Sequence, residues 1–389
     1  MSPGGAPDVA VVGAGIVGAA CALFLARSGA RVELFERAFP AAGSTGAGEG
    51  NVLAWDKELD RELPLALRSA ALWDELADAL SPDIEYDRKG SIVVAETEAE
   101  LAAATERAAV LAQHGVRGSA LSADELRIEE PMSAPDLPGG VLYPDDAQVE
   151  PRLAAAALVR AAAARGARVR MGVSVEAVER DRSGRAVALA TAQGRVPVGA
   201  VVVAAGAWTA ALLQRCGLSV PIRPRKGQIL VLERSATPVR RKLSEAGYVS
   251  AVESGEERLE VAMVVESTRS GTTLIGSSRE LVGFDRDVDI DVAAAIARRA
   301  IRFYPRLAGL AVIRTYAGLR PFSPDHLPVV GPFGEAENVC VATGHEGAGI
   351  GLGPATGELV AAWATGAPPP PGLSLDWFSP NRFAEVAAE

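Results

Sequence analysis

The chain opens on a short apolar run, Asp8–Val12, and then changes to the wider spacing of a helix from Ile16 to about Ser28, with Gly29 as its stop. Arg31–Glu36 returns to a period of two, with Val32, Leu34 and Glu36 alternating against Arg31, Glu33 and Phe35. Two strands joined by a helix predict a parallel pair and an α/β fold. The crossover pattern recurs in a helix at Pro151–Arg165 stopped by Gly166, a strand at Ala167–Met171 and an apolar strand at Val201–Ala204. Between these lie predicted helices at Pro64–Leu80 and Glu96–His114, a strand-like Tyr86–Ala95, and a proline-broken loop from Pro131 to Gly140. Ile229–Glu233, Tyr248–Val252, Glu260–Val264 and Thr272–Ile275 are strand-like and separated by turns, which predicts a mixed, largely antiparallel block. A helix at Val288–Phe303 follows, then strands at Leu327–Val330 and Val339–Ala342. A glycine-rich stretch, a helix at Ala355–Ala364 and a stiff Pro368–Pro371 tail close the chain. The simplest organisation is one nucleotide-binding domain assembled from three separated pieces, with a strand-rich domain inserted between them.

Composition narrows the classes. The 389 residues carry Asp+Glu 49 against Lys+Arg 39, a net charge of -10, and no basic block, so a nucleic-acid footprint is not expected. Cysteines are 3 and histidines 3, scattered along the chain, which argues against a disulfide framework and against a metal site. Val9–Ala26 is uncharged and long enough to span a bilayer by the length rule alone. Its interior Gly13, Gly15 and Gly18 sit where a strand–turn–helix would want them, and too few residues precede it for a basic leader. The expectation is a cytoplasmic protein with no membrane span.

Four constellations carry chemistry. Gly13-Ala14-Gly15-Ile16-Val17-Gly18 follows a strand and opens a helix, and Glu36 closes the next strand. In that context Gly13 makes the tight turn, Gly15 admits a pyrophosphate to the backbone, and Gly18 lets helix and strand pack closely. Ile16 and Val17 offer helix N-terminal N–H groups, and Glu36 would accept from ribose hydroxyls. A carboxylate there disfavours NADP and leaves NAD and FAD open. The second constellation is Val201–Ala204 running into Ala205-Gly206-Ala207-Trp208. The third is Gly318-Leu319-Arg320-Pro321, where an arginine among apolar residues suits bidentate pairing with a carboxylate, the alternative being a structural ion pair. In the fourth, Ala342-Thr343-Gly344-His345-Glu346-Gly347-Ala348-Gly349-Ile350-Gly351-Leu352-Gly353-Pro354, the glycines suggest backbone pressed against a ligand, with a helix dipole aimed at it. His345 is a candidate base.

Together with Pro224-Arg225-Lys226-Gly227-Gln228, these segments resemble the D-amino acid oxidase / glycine oxidase family of FAD-dependent oxidoreductases, from Val9 to about Gly366. The resemblance implies a Rossmann-like FAD-binding domain of the glutathione-reductase type, from 1–85, 145–225 and 320–389. An inserted antiparallel-sheet substrate domain would take 86–144 and 226–319. It implies FAD lying against Gly13, Gly15, Ile16, Val17, Gly18, Glu36 and Arg37, and against the loop residues Ser44, Thr45, Gly46, Ala47, Gly48, Gly50 and Asn51. It further implies contacts from Val175, Ala205, Gly206, Trp208, Gly227, Gly347, Gly349, Ile350, Gly351 and Leu352. Arg320 would bind the substrate carboxylate beside the flavin, Tyr248 would cover the substrate, and hydride would pass from substrate to flavin before hydrolysis to a 2-oxo acid.

No cysteine stands near Gly318–Asp325, so the resemblance implies non-covalent FAD. Gly43–Asn51, Gly276–Glu280 and Val282–Asp285 look most like the opine-oxidase-like branch, whose members oxidise secondary amines with two carboxyl-bearing arms. A second carboxylate would want a second cation, with Arg279, Arg269 and Lys57 as candidates. The expected partner is a small amino-acid-like substrate with a carboxylate. A homo-oligomer or an electron-accepting partner stays open, as do cleavage of a hydrazine-type amino acid, a subunit role in a heteromeric dehydrogenase, and an NAD-dependent dehydrogenase.

Overall fold

The computed structural model describes residues 6–80, 83–248 and 259–383. The first strand, Val9–Val12, lies between Val32–Glu36 and Ala200–Val203, all three parallel. They belong to a 6-stranded sheet completed by Arg168–Met171 at one edge and by Ala336–Thr343 and Val329–Phe333 at the other, the last strand running antiparallel. Both faces are covered, which is why the central strands Val9–Val12 and Ala200–Val203 read as unbroken apolar runs. Val9 and Val11 point into a core shared with the helices Ile16–Arg27, Glu62–Leu80, Pro151–Ala164 and Gly349–Thr365. Ala10 and Val12 point the other way, onto a 3-stranded sheet and the short helix Thr209–Gln214.

The uncharged Val9–Ala26 run is explained by this burial. Ile16–Arg27 is the innermost helix, buried from Gly18 to Ala26. The C-terminal helix presses on it so closely that a Cβ on Gly357 would come within 2.7 Å of the Ala20 backbone. Among the described residues no helix is long and apolar enough to cross a membrane.

An 8-stranded sheet gathers Val312–Phe322, Arg223–Leu232, Thr273–Arg279, Glu260–Ser267, Lys242–Glu245, Ser91–Ala95, Gly139–Tyr143 and Ser119–Ser122, in that order. All its pairs are antiparallel except Lys242–Glu245 with Ser91–Ala95. Its strands Arg223–Leu232 and Val312–Phe322 run across the expected divisions at 225/226 and 319/320. The helix Ile290–Phe303 lays Val292, Ile296, Ala300 and Phe303 into the core of this sheet. It starts at Ile290 because the Asp289 side chain accepts from the N–H groups of Asp291 and Val292.

Two expectations change. The loop expected up to Gly140 ends in a strand, Gly139–Tyr143, and the expected Tyr248–Val252 strand lies, past Tyr248, outside the described residues. The C-terminal helix begins at Gly349 instead of Ala355, although Pro354 lies inside it and has no N–H to offer Ile350 O. That carbonyl is satisfied by the indole of Trp73, whose Nε1–H donates to it at 3.0 Å. Tertiary packing thus supplies the bond that the local sequence withholds.

Candidate active site

A cavity enclosing about 1630 Å³, its open mouth included, runs from the glycine turn of the first strand to the strand pair Arg223–Leu232 and Val312–Phe322. Its lining joins residues of the 6-stranded sheet and the glycine turn to residues of the 8-stranded sheet, so one ligand can lie along the first and a second meet it at the end.

At the first end the main chain does most of the work. Gly13 has φ 107, and a Cβ there would stand 2.4 Å from Ala204 O. Gly18 carries no side chain because a Cβ would reach to 1.9 Å from Gly13 O, so it closes helix onto strand and does not line the cavity. Gly15 lines the cavity and has open space but for Thr45 Oγ1 at 3.2 Å. The Glu36 carboxylate accepts from Ala14 N and Ala38 N, each at 2.9 Å, and Thr45 Oγ1 accepts from Ile16 N at 3.0 Å. The Arg37 guanidinium lies 4.3 Å from the Trp208 ring, which stacks on Phe284 at 5.8 Å.

The loop Ser44–Asn51 divides its residues. Ser44, Thr45, Ala47, Gly48 and Asn51 line the cavity. Gly46 faces a second cavity and accepts from Arg152, and Gly50 packs on Val149, where a Cβ would come to 1.7 Å from the carbonyl oxygen. Val175, Ala205, Gly206, Trp208, Gly347, Gly349 and Ile350 also line it, with Val173 and Ser174 beside Val175. Gly351 and Leu352 are buried in the helix interior and do not.

The far end is made of side chains. Arg320 pairs in register with Arg225, and Gly227 opposes Gly318. A Cβ on Gly227 would stand 2.1 Å from Arg320 Nη1, so the absence of a side chain there gives the guanidinium its place. Arg320 donates from Nη1 to Ser278 O at 2.9 Å, and among the described residues it has no carboxylate within ion-pair distance. Burial, then the nearby Arg279 charge, pulls its pKa down to about 10, so it stays cationic at neutral pH. Arg225, by contrast, lies between Glu346 and Glu260 at 3.5 and 3.6 Å. Tyr248 lines the cavity and carries the Arg279 guanidinium 4.8 Å from its ring centre. Arg279 is 3% exposed, and its Nη1 finds no hydrogen-bond partner among the described residues. The other two candidate cations are engaged elsewhere. Arg269 donates to Tyr86 O at 2.7 Å beside the second cavity, and buried Lys57 pairs with Asp56 at 2.7 Å.

His345 lines the cavity with Nε2 fixed at 2.9 Å from Thr356 Oγ1 and with Nδ1 unpartnered among the described residues. Burial lowers its pKa to about 3, so the ring is neutral and serves as a hydrogen-bonding group, not as a store of protons near pH 7. Cys21 and Cys340 are buried in the core, and no cysteine lines the cavity. Among the described residues no cluster of His, Cys, Asp and Glu could hold a metal.

Sequence reasoning passed over Glu49, Val173, Ile229 and Ser277, all on the cavity wall. Glu49 had one signal, a lone carboxylate in a glycine-rich loop.

The whole constellation fits a dinucleotide. Gly15 leaves space at a helix start, Glu36 can accept hydroxyls, and the N-terminal turn of Gly349–Thr365 opens on the cavity. Buried Asn51 Oδ1 and His345 Nδ1 are left for a ligand to meet.

Comparison with known proteins agrees. The family described as FAD dependent oxidoreductase matches residues 8–363. A glycine oxidase of Geobacillus kaustophilus is 33% identical, over 91% of this chain and 92% of its own. The crystal structure of glycine oxidase from that organism superposes with a TM-score of 0.87 at 31% identity, covering 97% of this chain and 98% of that one. An iminodiacetate oxidase from Chelativorans sp. BNC1 gives 0.83 at 28% identity, covering 96% and 98%. A hydrogen cyanide synthase subunit of Pseudomonas aeruginosa is 30% identical over 91% of both chains.

Proposed function

The chain belongs to the FAD-dependent oxidoreductase family that includes glycine oxidase, and from this we propose that it oxidises the C–N bond of an amino acid or N-substituted amino acid held by its carboxylate at Arg320. FAD, when bound, supplies the oxidation by taking a hydride from the substrate carbon. The imine left on the substrate is then hydrolysed to a 2-oxo acid and an amine or ammonia.

The observation that carries the reading is Arg320, a half-buried, desolvated guanidinium at the cavity end with no carboxylate partner of its own among the described residues. A charge buried without an ion-pair partner is costly, and a substrate carboxylate completes it. Anchored there, a substrate has its reacting carbon positioned with little freedom, which is the chain's main catalytic contribution. Tyr248 and the Gly227 gap define the walls around that anchor. In this reading the 6-stranded-sheet part of the chain holds the cofactor and the 8-stranded sheet the substrate.

A second substrate reading is favoured by Arg279, whose unpartnered Nη1 lies behind Tyr248 and beside Arg320. It offers a second cation for an N-carboxyalkyl amino acid, in line with the likeness to iminodiacetate oxidase.

The test is an anaerobic titration of the purified yellow protein, following the visible flavin band. The ligands are D-amino acids, glycine, sarcosine and N-(carboxyalkyl) amino acids. Bleaching by one class is the expected outcome and names the substrate type. A yellow protein that none of them bleaches overturns the reading and favours a hydrazine-type substrate or a partner subunit, the latter in keeping with the hydrogen cyanide synthase likeness.

A further inference from the structure

The cavity end that holds Arg320 also holds a buried acid. Glu49 lines the cavity, its side chain is 7% exposed, and its Oε1 has no hydrogen-bond partner among the described residues. Its Oε2 accepts from Lys242 Nζ at 2.8 Å and from Asn51 Nδ2 at 3.2 Å. Lys242 is shared, because its Nζ also donates to Glu266 Oε2 at 3.1 Å. Lys242 and Glu266 are each 2% exposed. Gly276 keeps the space open, since a Cβ there would come to 3.1 Å from Glu49 Oε1.

The charges do not balance. One ammonium between two carboxylates leaves this buried group with an excess negative charge on the cavity wall. Lys89, next to Glu266, does not cancel it, for Asp87 and Glu130 also act on that lysine. Near it Arg320 lines the cavity with Arg279 buried close behind, and these two guanidinium groups bring an excess of positive charge. A ligand that neutralises both carries an anion and a cation a short distance apart. Further charged and titratable neighbours are Tyr248, Tyr316 and Arg225, the last paired with Glu346 and Glu260.

Resting on the amino-acid reading above, we propose that Glu49 binds the substrate's amino group as an ammonium ion, through the free Oε1, and accepts one proton from it before the hydride leaves, while Lys242 and Glu266 position the carboxylate. The site then recognises a zwitterion at two poles, the carboxylate at Arg320 and the ammonium at Glu49. The substrates it suits are primary and secondary amines, which bring an N–H to donate. A tertiary amine free of its proton, or an amide, brings none.

The test is anaerobic rapid-reaction reduction of FAD-loaded wild type and Glu49→Gln by whichever amine bleaches the wild type, between pH 6 and 9. Wild type should show an apparent Kd that is flat below the substrate amine's own pKa. Glu49→Gln should keep its FAD and show a Kd raised roughly 10- to 100-fold at pH 7, the range for a hydrogen bond to a charged group. That Kd should fall as pH rises towards the amine's pKa, because the amide accommodates only the neutral amine. Glu49→Asp should recover part of the affinity and the flat profile. Arg320 at about 10, Tyr316 at about 12 and His345 at about 3 all titrate outside this window.

An unchanged Kd and profile in Glu49→Gln overturns the proposal and leaves Glu49 as a structural partner of Lys242. Should Glu49→Gln lose its FAD, the aspartate variant decides: a flat profile with weakened binding supports the ammonium site, and wild-type binding overturns it. Wild type that no amine reduces overturns the amino-acid reading itself, an outcome seen before any variant is made.

Discussion

The end of the cavity bounded by Gly13, Gly15 and Glu36 is built largely from one continuous βαβ segment, whose main chain is held in place by Glu36 and Thr45. At the other end Glu49, Tyr248, Ser277 and Arg320 come from four separate segments, of which Ser277 and Arg320 stand on strands of the 8-stranded sheet. The first end needs small residues and a turn. The second needs particular side chains at particular heights along long strands. A change of side chain therefore acts differently at the two ends. At the first it blocks an approach, whereas at the second it removes a partner.

The sharpest test of that contrast is Gly15→Val, which should give protein without FAD, read from the visible spectrum after purification. The new side chain would meet Thr45 Oγ1 and fill the space left for a phosphate. Fully yellow Gly15→Val protein would contradict the main-chain character of that end.

Arg320→Leu should do the converse, keeping its FAD while kcat/KM falls. Removing one member of a buried charge pair costs about 2–5 kcal/mol, or roughly 30- to 5,000-fold. Wild-type kcat/KM in this variant would move the carboxylate anchor elsewhere. Loss of FAD along with activity would show that the two ends are not separable.

The smallest effect is expected of His345→Gln, at the junction. The native imidazole, with a pKa of about 3 against 6.5 for the free side chain, refuses a proton that the unfolded chain takes up between those values. Its contribution to stability is whole above about pH 6.5 and is lost as pH falls through that window. The melting temperature of His345→Gln relative to wild type should therefore rise from pH 7 to pH 4. Glu62, Glu130 and Asp146, which burial raises to about 7, act in the opposite sense but are common to both proteins. The pH profile of turnover above pH 6 should not move, and a shift there would restore His345 as a base.

The same contrast explains what could be read from the chain alone. Gly13, Gly15, Gly18 and Glu36 stand at fixed offsets within one local unit, so their geometry is implicit in their spacing. Arg320 was legible because a proline and two apolar neighbours mark it. Glu49 was not, since its meaning depends on Lys242 and Glu266, which are distant in sequence and reach it only through strand pairing. The helix that starts at Gly349 was misjudged for a related reason. Glycines and Pro354 argue locally against it, and the hydrogen bond that rescues it comes from Trp73 on another helix.

Gly227 and Arg320 occupy one volume between them, and this constrains the order in which the two positions can be exchanged over generations of descent. Any lineage that first enlarges residue 227 evicts the guanidinium, and with it the proposed carboxylate anchor, in a single step. A lineage that first gives up the arginine frees residue 227 to drift, and once that gap is filled, restoring the arginine alone no longer restores the site. The pair thus behaves as a ratchet, easily left and hard to re-enter.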